Sequence, residues 1–252
     1  MKRRKSWLAK AIAAVALVCA IAFALFRFVF VVRSVDVIGA PAEEAPEIVR
    51  AGNVEFGGSI FGVDTQAIIA GIAETGDYYA VDVARSLPNR LHITVQQRTP
   101  VAMTLFMQSI LIMDADGYVI SACDSVPDMD LVYVSDLKPG GYKIGSVVQA
   151  DQDRLENLRA ALHAIAENGA AAYISELNVA DSRAIKIISR TRTNVNLGTR
   201  ENMSMKISWM VSALADLESR GESYGTLDVS SGKSADYRPA NADTAAENTE
   251  NG

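Results

Sequence analysis

Apolar residues follow three different rhythms along this chain. The first is a nearly unbroken run: from Trp7 to Val32 only Lys10 and Arg27 carry charge. As a helix rising 1.5 Å per residue the run spans roughly 39 Å, enough to cross a bilayer with some tilt. Its charge-free centre, Ala11 to Phe26, covers about 24 Å. Lys10 and Arg27 are then placed near the two interfaces to snorkel, with Trp7, Phe28 and Phe30 as aromatic neighbours. The second rhythm is alternation. Ser34–Ile38 alternates, and Leu91, Ile93 and Val95 share one face of a strand whose other face holds His92, Thr94 and Gln96. The third is helical. Leu155, Leu158, Leu162 and Ile165 form one stripe, and Met203, Ile207, Met210, Leu214 and Leu217 form another.

Turn and cap residues divide these patterns into two units with a break near Arg98-Thr99-Pro100. In the first, the strand Ser34–Ile38 precedes a helix around Pro46–Ala51, and Glu43, Glu44 and Glu47 enrich its start. A Gly-rich stretch, Phe56–Gly62, eases the turn between helices and leads to Asp64-Thr65, which caps a helix over Gln66–Glu74. Strands follow at Tyr78–Ala84 and Leu91–Val95. The order β-α-α-β-β predicts a three-stranded sheet with two helices on one face. The second unit predicts a hairpin over Val101–Phe106 and Ser109–Met113, a turn at Asp114–Gly117 and a return strand at Tyr118–Ser121. A less regular stretch containing Pro127 and Pro139 reaches the helix Gln152–Glu167, which Asn168-Gly169 stops. Strands at Ile174–Val179, Ala184–Ser189 and Thr193–Leu197 come next, then the helix Asn202–Ser219 and a last strand, Thr226–Val229. The fold class is therefore α+β: an N-terminal membrane helix, a small α/β domain, and a mixed antiparallel β-rich domain with two helices. In numbers, 1–10 is a basic cytoplasmic segment, 11–32 the membrane helix, 33–99 the first domain, 100–230 the second, and 231–252 a polar acidic tail expected to be disordered.

Charge sharpens the topology. Lys2, Arg3, Arg4, Lys5, Lys10, Arg27 and Arg33 are the only charged groups before Ser34, so all 30 acids lie beyond them. Bases ahead of the apolar run put the N-terminus in the cytoplasm and the C-terminus outside. The net charge of −6 becomes −13 once those seven bases are set aside. An acidic outer part argues against nucleic acid and against broad electrostatic docking on anionic lipid. A cleaved leader is the competing reading, and Ala22-Phe23-Ala24 has the small-x-small look of a cleavage site. The apolar run continues to Val32, however, which favours a retained anchor. Cys19 lies within the run and Cys123 beyond it, so no internal disulfide is available and the outer domains must rest on their apolar cores.

Candidate chemistry is sparse. Asp114 and Asp116 form a tempting carboxylate pair, but Asp-Ala-Asp-Gly lacks the further ligands of a calcium loop and reads as a turn. His92 and His163 have no ligand at metal spacing, and no catalytic or phosphate-binding motif occurs. No catalytic, cofactor-binding or metal-binding residue is assigned, and Cys123 is read as a plain thiol. A binding module remains. An exposed edge strand recruits a partner strand through its backbone. The closing strand Thr226–Val229 (Thr226, Leu227, Asp228 and Val229) is the candidate edge, the alternative being that it lies inside the sheet or is blunted by the tail; Arg183 and Lys206 are further contributors.

The basic N-terminus, the single apolar run, Val35–Gly39 and the segment from Leu87 to Ala102 together resemble the bacterial cell-division family FtsQ/DivIB. Pro88, Leu91, Ile93, Val95, Arg98, Pro100, Val101 and Ala102 match the family's segment Pro-x-x-Leu-x-Ile-x-Val-x-Glu-Arg-x-Pro-Val-Ala; Gln97 departs from its Glu. Leu111–Asp114 with Gly117, Ile174–Leu177, Val195–Gly198, Met205-Lys206 and Leu227–Ser230 echo the later part of the family. The resemblance implies a POTRA domain over 33–99 followed by a β domain. It further implies a non-catalytic divisome scaffold that binds the bitopic partners FtsL and FtsB/DivIC outside the membrane by strand addition near Tyr224–Ser230, and a place at the septum. Another POTRA-bearing secretion or transport accessory is the alternative.

Overall fold

The computed structural model describes residues 2–240, without the side chains of 2–11, 22, 25 and 26. The chain divides into two units between Gln97 and Arg98. The first opens with α1 (Lys2–Phe28). Ile12, Val15, Leu17, Val18, Ile21 and Phe23 point to all sides of this helix and all are exposed. Among the described residues no helix is long and apolar enough to cross a membrane; the span expected over 11–32 includes side chains at 11, 22, 25 and 26 that lie outside them. Helix α1 also ends four residues before Val32. Phe30–Val32 leaves it as extended chain because Val32 N–H donates to Gly58 O (2.9 Å), Gly57 N–H to Val32 O (2.9 Å) and Ile60 N–H to Phe30 O (3.0 Å). The Gly-rich stretch thus does more than turn the chain between helices: it pairs with the segment that leaves α1.

Beyond this junction come β1 (Ser34–Ile38), α2 (Ala45–Ala51), α3 (Thr65–Ala73), β2 (Tyr78–Ser86) and β3 (Arg90–Gln97). Strand β3 is central, parallel to β1 and antiparallel to β2. Its alternation does what the sequence implies: Leu91, Ile93 and Val95 are buried against Ile48 of α2 and Ile68 and Ile72 of α3. Asp64 caps α3 by accepting the N–H groups of Gln66 and Ala67.

Glu44 stands where α2 would be capped, yet its side chain makes no cap bond. Instead it accepts the buried Tyr78 hydroxyl at 2.6 Å. That bond, followed by burial and the charges of Glu44 and Asp77, pushes the phenol from 10.0 up to about 12. A group raised on folding stabilises the fold fully below its ordinary value and loses that contribution as pH rises through the raised one. The first unit is therefore expected to weaken between pH 10 and about 12. Tyr78→Phe should flatten that part of a stability-versus-pH curve, and an unchanged alkaline slope would contradict the assignment.

The second unit is built on a nine-stranded mixed sheet in the order β12-β11-β10-β9-β8-β7-β4-β5-β6. Its strands and helices are β4 (Ala102–Phe106), β5 (Ser109–Met113), β6 (Val119–Cys123), β7 (Val132–Ser135), α4 (Gln152–Glu167), β8 (Ile174–Asn178), β9 (Ile185–Ser189), β10 (Asn194–Gly198), α5 (Met203–Ser219), β11 (Gly225–Asp228) and β12 (Asp236–Pro239). The predicted stripes of α4 and α5 join the buried residues of the sheet in one core. The α+β expectation holds, with two strands added. Strand β7 lies in the stretch read as irregular, where Val132 and Val134 are buried between β4 and β8. Strand β12 lies inside 231–252, read as disordered, so that expectation is corrected for Asp236–Pro239; 241–252 lies outside the described residues.

Candidate functional site

The last three strands form the end of the large sheet. Strand β11 runs parallel to β10, Asn194–Asn196 opposing Thr226–Asp228, because α5 carries the chain back between them. Strand β12 then pairs antiparallel with β11, placing Leu227 opposite Tyr237. The expected edge, Tyr224–Ser230, is therefore one strand in from the rim. Leu227 and Val229 are core residues, and Val229 N–H donates to Asn196 O. Ser230 N–H donates to Asp228 Oδ1, Thr226 is exposed, and exposed Tyr224 adopts a left-handed backbone. The physical reason for the shift is a tight return. Gly232, at φ +66°, donates its N–H to Val229 O, and the chain doubles back so that Tyr237 packs half-buried on the core. One aromatic anchor holds a strand that is otherwise polar. The signal available was Ser-Ser-Gly-Lys-Ser as a turn before Asp-Tyr-Arg-Pro.

Hydrogen-bond phase decides what the rim offers. Ala240 N–H donates to Tyr224 O at 2.9 Å. Opposed residues of an antiparallel pair alternate between bonded and non-bonded. Thr226/Arg238 and Asp228/Asp236 are then bonded pairs, while Leu227/Tyr237 and Gly225/Pro239 are not. Tyr237 therefore turns its N–H and C=O outward, and Pro239 turns its donorless nitrogen outward. A proline at this phase breaks no bond within the sheet and shortens the free edge. The outward-facing backbone groups of the rim run over Ala235–Tyr237 and end at Pro239.

A family model for the POTRA domain, FtsQ-type, matches residues 30–98. The chain is 22% identical over 203 residues to the cell division protein DivIB of Clostridium tetani, covering 80% of this chain and 76% of that protein. It is 21% identical over 192 residues to the cell division protein FtsQ of Myxococcus fulvus, covering 76% and 66%. DivIB of Clostridium botulinum strain Loch Maree is 22% identical over 202 residues. The chain thus carries a POTRA domain of the FtsQ type and is similar over most of its length to cell division proteins named DivIB and FtsQ.

The motif residues at the unit boundary have separate tasks. Leu91, Ile93 and Val95 fill the first core, and Ala102 begins β4 in the second. Arg98 joins Asp114 in a buried ion pair and lies over the Tyr118 ring at 4.0 Å. Asp114 Oδ1 also accepts the N–H groups of Asp116 and Tyr118, so the tempting acid organises a turn. Asp116 instead meets His163 at 2.8 Å, and His92 faces Asp36 at 3.6 Å in the other unit. Cys123 lies on β6, at the opposite edge from β12, with its thiol on the carbonyls of Ile110 and Ser125. Among the described residues no three His, Cys, Asp or Glu side chains gather to hold a metal.

Two charged groups brace the closing strands. The Asp228 carboxyl is held below its ordinary value by the Ser230 side chain first, then by Ser230 N–H, Asn196 and the charge of Arg238, against the pull of burial. Its contribution is present at neutral pH and fades as pH falls through the lowered value. Lys206, 2% exposed, donates to Thr199 O at 2.7 Å, and its stem runs beneath Gly232. Burial pushes its pKa down, with Glu201 opposing. Lys206 thus carries the β11–β12 turn from below and is not a surface contact. Arg183 is exposed in the β8–β9 turn, 3.8 Å from Asp181.

Proposed function

We propose that this chain is a non-catalytic divisome scaffold, held in the cell membrane by α1 with its N-terminus in the cytoplasm and both folded units outside. Its division role rests on the FtsQ-type domain and on the similarity to cell division proteins. The anchor is supported by the apolar run, by the basic cluster before it, and by exposed aliphatic side chains on every face of α1. Its partners are small bitopic proteins of the FtsL and FtsB/DivIC kind. The observation that carries the docking mode is the rim of β12: Tyr237 presents an outward donor and acceptor at the end of a sheet. A partner strand adds there, so the expected segment Tyr224–Ser230 acts from beneath, as the strand that holds β12. In a dividing cell the chain works at the septum, helping to control peptidoglycan synthesis.

Tyr237→Pro tests this reading: it removes the outward donor and leaves the inward bonds of Asp236, Arg238 and Ala240. Because it also removes the aromatic anchor, Tyr237→Ala, which keeps the donor, is the control and should retain more capture. With Tyr237→Pro, capture of an FtsB/DivIC-type partner should fall at least about tenfold, equivalent to about 1.4 kcal/mol, while circular dichroism shows a folded chain. Undiminished capture would move the interface elsewhere. A fluorescent fusion of the unaltered chain should gather at midcell; even distribution around the envelope would count against the division role.

A further inference from the structure

The junction between α1 and the first unit carries an unusual set of groups. Phe28 is 68% exposed at the end of the helix, and Arg27 marks its last turn. Two loops are tied by backbone bonds to Phe30, Val32, Arg33 and Ser34 beyond it. The Gly-rich loop binds Phe30 and Val32 as described, and its Phe61 ring lies 5.5 Å from Phe30 while remaining 49% exposed. The β2–β3 turn binds next, through Arg33 N–H and Ser34 N–H to Asn89 O at 2.9 and 3.4 Å. Leu87 projects from that turn, 58% exposed.

Sequence makes both loops unlike the rest of the outer chain. From Phe56 to Val63 no residue is charged, although the part beyond the apolar run is strongly acidic. Along the exit stand the bases Arg27, Arg33 and Arg90, the last 3.7 Å from Asp36, while Glu55 and Asp64 bound the uncharged loop. An uncharged loop carrying an exposed Phe61, and a second turn whose exposed Leu87 lies between Arg85 and Arg90, have the composition of an interfacial membrane contact. Distance agrees. The headgroup layer is about 5–8 Å thick on each side, and two residues of extended chain from Phe28 reach at most about 7 Å. With Phe28 at the inner boundary, Phe30 stays in reach of that layer, and the Phe61 ring lies 5.5 Å from the ring of Phe30.

We propose that Phe61 and Leu87 form a membrane-docking rim, seated in the outer headgroup layer of the bilayer that holds α1. This rests on the anchor reading above. Two loops plus the helix end make three points of contact, which fixes how the first unit stands on the bilayer and therefore from which direction a partner meets it.

The test uses the full chain with Trp7 and Trp209 replaced by Phe and one indole introduced, reconstituted into phosphatidylcholine–phosphatidylglycerol vesicles. Phe61→Trp should shift emission to the blue and be quenched at least about twofold by lipid bearing a nitroxide near the glycerol end of the acyl chain. Leu87→Trp should behave alike and serves if the first variant misfolds. Ile38→Trp, at the far end of β1, should be unaffected. Co-flotation with vesicles but no quenching at 61 or 87 would overturn the docking rim alone, and equal quenching at 38 would do the same. Failure to co-float would overturn the anchor reading with it.

Discussion

A Gly225→Val chain is expected to keep its second core, release β12 and lose partner capture at least about tenfold. A Cβ at this position would stand 2.5 Å from Arg238 O and 2.5 Å from a carbon of the Tyr237 ring. Both obstacles belong to β12. Strand β11 cannot retreat, since Leu227 and Val229 are buried and Val229 is bonded to Asn196. The strain, about 1–3 kcal/mol for overpacking of this kind, therefore falls on a four-residue edge strand with a single half-buried anchor. Release can be read directly, because Lys233 lies in the connecting turn and Arg238 is shielded from trypsin by Pro239. Tryptic cleavage after Lys233 should quicken at least about tenfold, in proportion to the population opened. Unchanged cleavage together with unchanged capture would show that β12 tolerates the side chain and is not held as described.

The same strand shows where the sequence stops being legible. The three-stranded first sheet could be read because its central strand has a strict two-residue alternation and α3 a cap: Leu91, Ile93, Val95 and Asp64 state their own roles. The stripes of α4 and α5 were equally plain. Strand β7 and strand β12 had no such signature. Val132 and Val134 supply one short alternation between prolines, and β12 supplies a single tyrosine. Both are specified by neighbours already in place, which is information about the sheet and not about the segment. The segment expected at the edge, Tyr224–Ser230, therefore lies one strand in from the rim. Hydrogen-bond phase, which turns the backbone groups of Tyr237 outward and leaves Pro239 without an outward donor, could only be read once the register with β11 was known.

The largest stability change is expected at the unit's opening turn. Arg98 and Asp114 have side chains only 6% and 10% exposed, and the carboxylate also takes two backbone N–H groups of its own turn. Asp114→Ala removes a buried counter-charge and the turn's acceptor together. Loss of one partner from a buried pair costs about 3–5 kcal/mol, which for a unit of this size lowers Tm by on the order of 10 °C. Asp114→Asn should recover part of the loss, since its amide oxygen can still receive the N–H groups of Asp116 and Tyr118. The decisive comparison is the cycle with Arg98→Met. Arg98→Met alone leaves the carboxylate buried, and Asp114→Ala alone leaves the guanidinium buried, so each single change carries a desolvation cost that the double change does not. The double variant should thus be more stable than the sum of the singles by about 1–3 kcal/mol. Simple additivity would mean that Asp114 matters only as a turn residue, and that Arg98, the basic residue of the family's boundary motif, is held by its stacking on Tyr118.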